Sequence, residues 1–220
     1  MKSLLLTFVV FTVMSCAKGP SGDPKPNEPM RATLPYVGEK ELDEKGDTLY
    51  YQVPSFSFIN QDSTEISHKN YFGHIYVTDF FFTTCPTICP IMSSQMSRLQ
   101  GLLQQEGLLG EVLLLSHTVD PAKDSPQALK AYANTIGADL RYWNFVTGSE
   151  EELYYQAKNG YMINALPADT APGGFIHSDN FVLVDRERHI RGYYDGTSTK
   201  DVDRLFSDIK YLIDASKRVN

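Results

Sequence analysis

The stretch that decides the fold runs from His74 to Pro90 and reads HIYVTDFFFTTCPTICP. Its first part, His74 to Phe82, is rich in β-branched and aromatic side chains, which is typical of a buried central strand. A turn follows in which two cysteines, Cys85 and Cys89, alternate with prolines. Beyond the turn, apolar residues recur at helical spacing and predict a helix: Ile91, Met92, Met96, Leu99, Leu102 and Leu103.

Downstream of this stretch, strand patterns alternate with helix patterns. Val112 to Thr118 predicts a second buried strand, and the helix after it opens at Ser125, an N-cap followed by proline at the first helical position. Trp143 to Val146 predicts a third strand, and the helix after it opens at Ser149 in a capping box. The middle of the chain is therefore built from strand–helix units.

A hairpin and a long helix close the predicted domain. Phe181 to Asp185 and Ile190 to Tyr194 form the hairpin strands, and the last helix has one apolar face: Val202, Leu205, Phe206, Ile209, Leu212 and Ile213. Strand–helix–strand–helix, then a hairpin and a helix, is the element order of the thioredoxin fold, here with one extra strand–helix unit. We predict an α/β, thioredoxin-like fold with an N-terminal extension.

Length, charge and cysteine content restrict the class of protein. The 220 residues, 42% of them hydrophobic, suffice for one compact domain with a core. The net charge is −7 and no Lys/Arg cluster occurs, which argues against a nucleic-acid binder. Three cysteines are too few for a disulfide scaffold. If Cys16 is used in processing, Cys85 and Cys89 hold the redox and soft-metal chemistry.

The N-terminus has the features of a lipoprotein signal. An almost wholly apolar run from Leu4 to Met14 is too short to span a bilayer but has the length of a signal-peptide core. It ends at Ser15 and Cys16, which resemble the lipobox where a peptidase cuts before a cysteine that carries a diacylglyceryl group. The alternative is an ordinary secretory signal with a stray cysteine.

A change of composition separates this signal from the folded part. From Ala17 to about Pro35, prolines and glycines alternate with polar residues that cannot bury apolar surface, so we expect an extended, solvated tether. The predicted organisation is a lipoprotein signal peptide at 1–15, a lipid-attached tether at 16–35 and, at 36–220, a thioredoxin-like domain that carries the cysteine pair.

The spacing of the cysteine pair predicts its chemistry. Thiols at Cys85 and Cys89, four residues apart at a helix start, stack on one face, close enough to chelate one ion or form a disulfide. We expect Pro86 at an early helical position and a thiol pKa lowered by the helix N-terminus. Two thiolates with room for an imidazole suit Cu(I) better than Mg, Ca or Mn, and structural zinc would need more ligands. Buried fillers or a structural disulfide are the alternatives.

Three separated motifs resemble one known family. Asp79 to Pro90 (DFFFTTCPTICP) is similar to the signature of the SCO/SenC family, copper chaperones for the binuclear copper site of cytochrome c oxidase. Ser116 to Pro126 (SHTVDPAKDSP) and His177 to Gly196 match the same family in the same order. The likeness covers roughly Pro54 to Ile213.

The resemblance implies a ligand set. The CxxxC cysteines of the family correspond to Cys85 and Cys89, and its histidine ligand corresponds to His177. The implied metal is copper, with Cu(I) the expected form and Cu(II) an open alternative. In a thioredoxin-like fold, the loop before the final hairpin faces the cysteine turn, which agrees with His177. His117 is the rival ligand, because it lies on the strand next to the cysteine strand.

The sequence does not decide the role of two acidic residues or the choice between alternative functions. Asp120 and Asp124 resemble the acidic loop of the family. They would either orient the site or a partner, or simply form a turn, since an Asp-x-x-x-Asp-x-Pro sequence is also a good turn. The same two thiols, Cys85 and Cys89, serve copper delivery, thiol–disulfide exchange or copper and redox sensing. Redox enzymes of the thioredoxin type use a CxxC spacing, which argues against the second function and against a peroxidase.

The resemblance also implies partners and a location. We expect the copper-site subunit of cytochrome c oxidase or another copper chaperone as partner, a membrane contact through the lipid on Cys16, and no nucleic acid. The domain would lie in the envelope of a bacterial cell, in the periplasm or otherwise outside the cytoplasm.

The lipid on Cys16 is directly testable. Mass spectrometry of protein extracted from membranes should show a mature chain that begins at Cys16 and carries the lipid mass. Cys16→Ser should abolish the modification and release the protein from the membrane fraction. A wild-type mature chain that begins elsewhere and carries no lipid would contradict the prediction.

Overall fold

The structure, a computed structural model, describes residues 34–167 and 175–219, with side chains described for 34–164 and 178–217. A compact unit begins at Leu34 and extends to the C-terminus. The predicted signal peptide, Cys16 and the tether up to residue 33 lie outside the described residues, so the domain boundaries stay predictions. Within the described part, none of the helices has the length and apolar composition needed to cross a bilayer.

The described elements alternate between strands and helices along the chain. The strands are β1 (Lys40–Leu42), β2 (Thr48–Tyr50), β3 (Ser57–Asn60), β4 (Glu65–Ser67), β5 (Ile75–Phe81), β6 (Val112–Thr118), β7 (Trp143–Thr147), β8 (Ala165–Pro167), β9 (Phe175–His177), β10 (Asn180–Val184) and β11 (Ile190–Asp195). The helices are α1 (His68–Tyr71), α2 (Cys89–Gln105), α3 (Pro126–Thr135), α4 (Glu150–Tyr155), a π-helical turn (Gln156–Gly160) and α5 (Thr199–Val219).

A seven-stranded sheet forms the centre, in the order β11-β10-β5-β6-β7-β3-β4. Strands β5, β6 and β7 are parallel to one another, and β10, β11, β3 and β4 join by antiparallel pairing. The units β5-α2-β6-α3 and β10-β11-α5 reproduce the predicted thioredoxin order. The extra strand–helix unit is β7-α4, which extends the sheet beside β6.

Strand β5 lies in the middle of this sheet because its sequence allows burial on both faces. All seven of its residues are buried, as a strand between two others and under helices must be. Pairing with β6 runs in register from Ile75↔Val112 to Phe81↔Thr118. The carboxyl ends of both strands therefore reach the same edge, where the segment with Cys85 leaves the sheet.

The first described residues are anchored to the hairpin of β10 and β11. The Arg191 guanidinium donates to Asp185 Oδ2 at 2.8 Å, to the Leu34 carbonyl at 2.7 Å and to the Pro35 carbonyl at 3.1 Å. It also lies over the Tyr36 ring, 4.1 Å from the centroid. Because the Arg191–Asp185 ion pair is nearly fully buried, the two backbone carbonyls are needed to accept the remaining N–H groups of the guanidinium.

Candidate metal centre

The two internal cysteines lie where β5 ends and α2 begins. Cys85 is in the turn that follows the strand, and its backbone N–H donates to the Phe82 carbonyl at 3.2 Å. Helix α2 begins at Cys89, with Pro90 in its first turn. The prediction that the helix starts at the first cysteine, with Pro86 in an early helical position, is wrong in this detail, because the backbone from 85 to 88 bends before it becomes helical.

Both thiols are buried, and among the described cysteines neither forms a disulfide. Cys85 is 8% exposed and Cys89 is 1% exposed. The Sγ atom of Cys85 lies 3.8 Å from the hydroxyl of Thr87, which is on the exposed side of the turn. The pair therefore sits just beneath the surface, with Cys85 as the outer thiol.

The electrostatics of Cys89 differ from the prediction. Burial raises the pKa of the Cys89 thiol well above its ordinary value, and hydrogen bonding to Cys85 raises this pKa further. A backbone hydrogen bond at Phe82 acts in the opposite direction, and the charge of Asp79 adds to the increase. The expected lowering of the pKa by the helix N-terminus is wrong for Cys89, because desolvation of the thiolate outweighs the helix dipole.

A buried polar chain lies on the same face of the sheet as Cys89. The Ser116 hydroxyl donates to Asp79 Oδ1 at 2.5 Å, and the Trp143 indole N–H donates to the Ser116 oxygen at 2.9 Å. The phenol of Tyr132 is close enough to the thiols for their charges to raise its pKa, although burial is the main cause of that increase. Cys89 therefore lies within electrostatic reach of the Asp79 carboxyl and the Tyr132 phenol.

His117 lies on the opposite face of the sheet. In the parallel register Asp79 pairs with Ser116 and Phe80 pairs with His117, and successive side chains on a strand point to opposite faces. The fully buried His117 ring stacks on Phe80, with centroids 4.7 Å apart, and its Nδ1 lies 3.1 Å from the Thr78 hydroxyl. The sheet itself separates this imidazole from the thiols.

His177 is the last residue of β9, where the backbone pairs with Ala165 of β8. The next N–H, that of Ser178, donates to the Asn164 carbonyl at 3.0 Å, which fixes this backbone directly before β10. Strand β10 runs antiparallel to β5 and pairs Val182 with Thr78. The first residue of β10 therefore lies beside the carboxyl end of β5. The backbone of His177 therefore reaches the sheet edge from which the cysteine turn leaves.

The described side chains include the two candidate thiol ligands, Cys85 and Cys89. Among all the described side chains, no group of three or more His, Cys, Asp or Glu residues lies close enough to hold one metal ion. The side chain of His177 is not among those described. Cys85 and Cys89 are the two described thiols of the candidate site.

The acidic loop after β6 reaches the cysteine turn through Asp124. Its fully buried carboxylate accepts the Thr83 N–H at 3.2 Å and the hydroxyls of Thr83 and Thr118. Asp120 instead pairs with Lys123, 3.0 Å from its Oδ2. The sequence motif singled out both aspartates as candidate site residues, but it did not single out the threonines that bind Asp124. Thr83 could have been proposed from its position two residues before the first cysteine.

Comparison with known proteins identifies the family. A family model described as SCO1/SenC matches residues 45–214. The chain belongs to the SCO1/SenC family. The resemblance seen in the three sequence motifs is thereby confirmed.

Solved structures of SCO1/SenC relatives share the fold of this chain. A SCO1/SenC family lipoprotein from Bacillus anthracis is 32% identical, with a TM-score of 0.68 over 74% of this chain and 95% of that chain. BsSco, a Sco protein of cytochrome c oxidase assembly with a disulfide switch, is also 32% identical, with a TM-score of 0.66 over 74% and 93% of the chains. Yeast Sco1 with copper bound is 25% identical, with a TM-score of 0.60 over 77% and 94%. The thioredoxin-like fold is confirmed.

The burial of His117 predicts loss of stability in acid. Burial lowers the pKa of this imidazole from 6.5 to about 3, whereas the unfolded chain binds the proton near 6.5. The unfolded state therefore takes up more protons, and the free energy of unfolding falls as the pH drops from about 6.5 towards 3. Between pH 7 and pH 5 the loss due to this group is about 2 kcal/mol. Tyr161, the titratable ring in contact with it, stays neutral because burial raises its pKa.

His117→Phe tests this dependence. Urea unfolding of both proteins at pH 7 and at pH 5 should show that the wild type loses about 2 kcal/mol more than the variant. Any constant cost of the substitution, such as the lost contact with Thr78, cancels in the difference between the two pH values. Equal losses in the two proteins would contradict the prediction.

Proposed function

We propose that this chain is a copper-binding protein of the bacterial cell envelope that delivers copper during assembly of cytochrome c oxidase. The observation that carries the proposal is the pair of buried thiols, Cys85 and Cys89, at the sheet edge in a chain of the SCO1/SenC family. Copper is the cargo of this protein, and the ligands we propose are the two sulfurs and the imidazole of His177.

The donor set supports a soft, low-coordinate ion. Two sulfurs favour Cu(I), and an added imidazole also suits Cu(II). The raised pKa of Cys89 means that this thiol carries its proton at neutral pH before the metal arrives. Binding must displace that proton, so copper affinity rises with pH and is lost readily in acid. Cys85, the outer thiol, is the sulfur that an incoming ion or partner meets first.

The backbone position of His177 supports its role as third ligand. It is the last residue of β9, at the sheet edge from which the cysteine turn leaves. His117, the other candidate in the sequence, is on the far side of the sheet among aromatic rings. A copper site that used His117 would require the sheet to come apart.

The location of the thiols at an edge supports transfer to a partner. The residues that flank them, Thr84, Pro86 and Thr87, are exposed, and Ile91 on the first turn of α2 is 50% exposed. A partner protein can therefore approach the pair directly. We propose that this partner is the copper-site subunit of cytochrome c oxidase or a second copper chaperone, and that a lipid on Cys16 holds the domain at a membrane.

A second candidate function is thiol–disulfide exchange. The hydrogen bond between the thiols of Cys85 and Cys89 favours it, because the two sulfurs are already neighbours. Closure to a disulfide shortens this hydrogen-bonded contact to a covalent S–S bond of about 2.05 Å, so the turn of Cys85 has to shift. In this reaction the two thiols lose two electrons and two protons to a partner disulfide, which becomes a dithiol. The raised pKa of Cys89 makes the outer thiol the better nucleophile.

Substitution of the cysteines tests the copper site. The reduced wild-type domain should bind one Cu(I) under anaerobic titration, and Cys85→Ser or Cys89→Ser should each remove tight binding, because a hydroxyl is a poor ligand for a soft ion. Circular dichroism of each variant controls for folding. Retention of tight one-to-one binding by the double variant would refute the assignment of the ligands.

Substitution of the histidines separates copper carriage from pure thiol exchange. His177→Ala should weaken copper binding by about ten- to a thousand-fold, or about 1.4–4 kcal/mol, since the ion loses its third donor. The Cys85–Cys89 disulfide should still form and be reduced in this variant. His117→Ala is the matched control and should leave affinity nearly unchanged in the protein that remains folded.

The two histidine variants distinguish a wrong ligand assignment from a wrong function. If His117→Ala abolishes binding in folded protein and His177→Ala does not, the third ligand is wrong while the copper function stands. If neither substitution changes copper affinity and thiol exchange with a partner is fast, the oxidoreductase function replaces the proposal.

A further inference from the structure

The carboxylate of Asp124 makes an unusual set of contacts for a residue in a turn. It is completely buried, and its oxygens accept the Thr83 N–H, the Thr83 hydroxyl and the Thr118 hydroxyl. Among the residues that the structure describes, all three donors to this carboxylate are neutral, so its charge is held by hydrogen bonds alone. Such bonds to a buried carboxylate are stronger than bonds between neutral groups.

These contacts tie the cysteine turn to the neighbouring strand. Thr83 lies two residues before Cys85, just beyond the end of β5, and Thr118 is the last residue of β6. Phe81 and Thr118 are partners in the parallel register, so the carboxylate bridges two chain segments that leave the sheet side by side. The bonds between Thr83 and Asp124 therefore oppose movement of the turn that carries Cys85.

The turn that contains Asp124 is closed by other groups as well as by this carboxylate, which acts on the turn through the Thr118 hydroxyl, the acceptor of the Asp120 N–H at 2.9 Å. The N–H groups of Lys123 and Asp124 donate to the Asp120 carbonyl, at 3.1 and 2.9 Å, and the following helix is capped by the side chain of Ser125. An aspartate that only forms a turn bonds the backbone a few residues away in its own loop. Asp124 instead reaches 41 positions back along the chain to Thr83.

We propose that Asp124 is a positioning residue: it holds the turn of Cys85 in the dithiol geometry seen here, which is the form that receives copper, and so disfavours closure to the disulfide. The proposal rests on the proposed function for its copper part only. Its redox part concerns the two thiols alone. Loss of the bonds at Thr83 should make the Cys85–Cys89 pair easier to oxidise and should weaken Cu(I) binding.

Two substitutions of similar chemistry separate positioning from plain stability. Thr83→Val and Thr118→Val each remove one hydroxyl donated to the same carboxylate, but only Thr83 belongs to the cysteine turn. Thr118→Val also removes the acceptor of the Asp120 N–H, so it is the harsher change to the Asp124 loop. Both should lower the urea midpoint. Thr83→Ser keeps the hydroxyl and should behave as the wild type, and Asp124→Asn should resemble Thr83→Val if it folds.

The decisive measurement is the equilibrium with reduced and oxidised dithiothreitol, followed by mass shift after thiol alkylation. In this exchange the protein disulfide gains two electrons and two protons as dithiothreitol is oxidised to its cyclic disulfide. Thr83→Val should shift the equilibrium constant about tenfold towards the protein disulfide, equal to about 30 mV. Its Cu(I) affinity should fall about tenfold, and Thr118→Val should change both values less than threefold.

The results distinguish this proposal from the copper function. If the wild type binds no copper but Thr83→Val shifts the exchange equilibrium as expected, the proposed function fails and the positioning role stands. If the wild type binds copper and Thr83→Val matches Thr118→Val in both readouts, the positioning role is overturned. A shift of Thr83→Val towards the dithiol would overturn it as well.

Discussion

The parallel pairing of β5 with β6 is the constraint on which the rest of the site depends. Its seven residue pairs, from Ile75↔Val112 to Phe81↔Thr118, bring the carboxyl ends of both strands to one edge. The cysteine turn leaves from one strand and the loop of Asp124 from the other, so chain segments far apart in sequence become neighbours. A slip of one residue would turn His117 towards the thiols and Ser116 away from them.

Burial is the second determinant of the chemistry. The position of Cys89 at the start of a helix would favour a thiolate, but the thiol is 1% exposed and desolvation dominates. In the metal-free protein this thiol is therefore neutral and protected, whereas Cys85 lies closer to the surface. The asymmetry gives two chemically identical residues different environments: an outer sulfur close to the surface and an inner sulfur that keeps its proton.

The sequence predicted what depends on local pattern. The central strand, the inserted strand–helix unit, the final hairpin and the cysteine pair followed from periodicity, caps and the family motif. The start of α2 at Cys89 was missed because helix propensity does not reveal that the backbone bends from 85 to 88. The direction of the pKa shift of Cys89 depends on burial, which could not be predicted from one sequence. The contact of Asp124 with Thr83 joins residues 41 positions apart and could not be predicted from it either. The sequence does predict that His117 and its neighbour Ser116 lie on opposite faces of the sheet, because successive side chains on a strand alternate.

The bonded series from Trp143 through Ser116 to Asp79 has a practical consequence. Trp143 is the single tryptophan of the chain, so all indole emission comes from this one place. The indole ring is shielded from water. Its N–H is one end of the hydrogen-bonded series, and the Asp79 carboxyl at the other end raises the pKa of Cys89 through its charge. An event at the sulfurs that rearranges this carboxyl changes the electric field at the indole. We therefore expect the emission of Trp143 to respond to chemistry at the thiols, without any attached label.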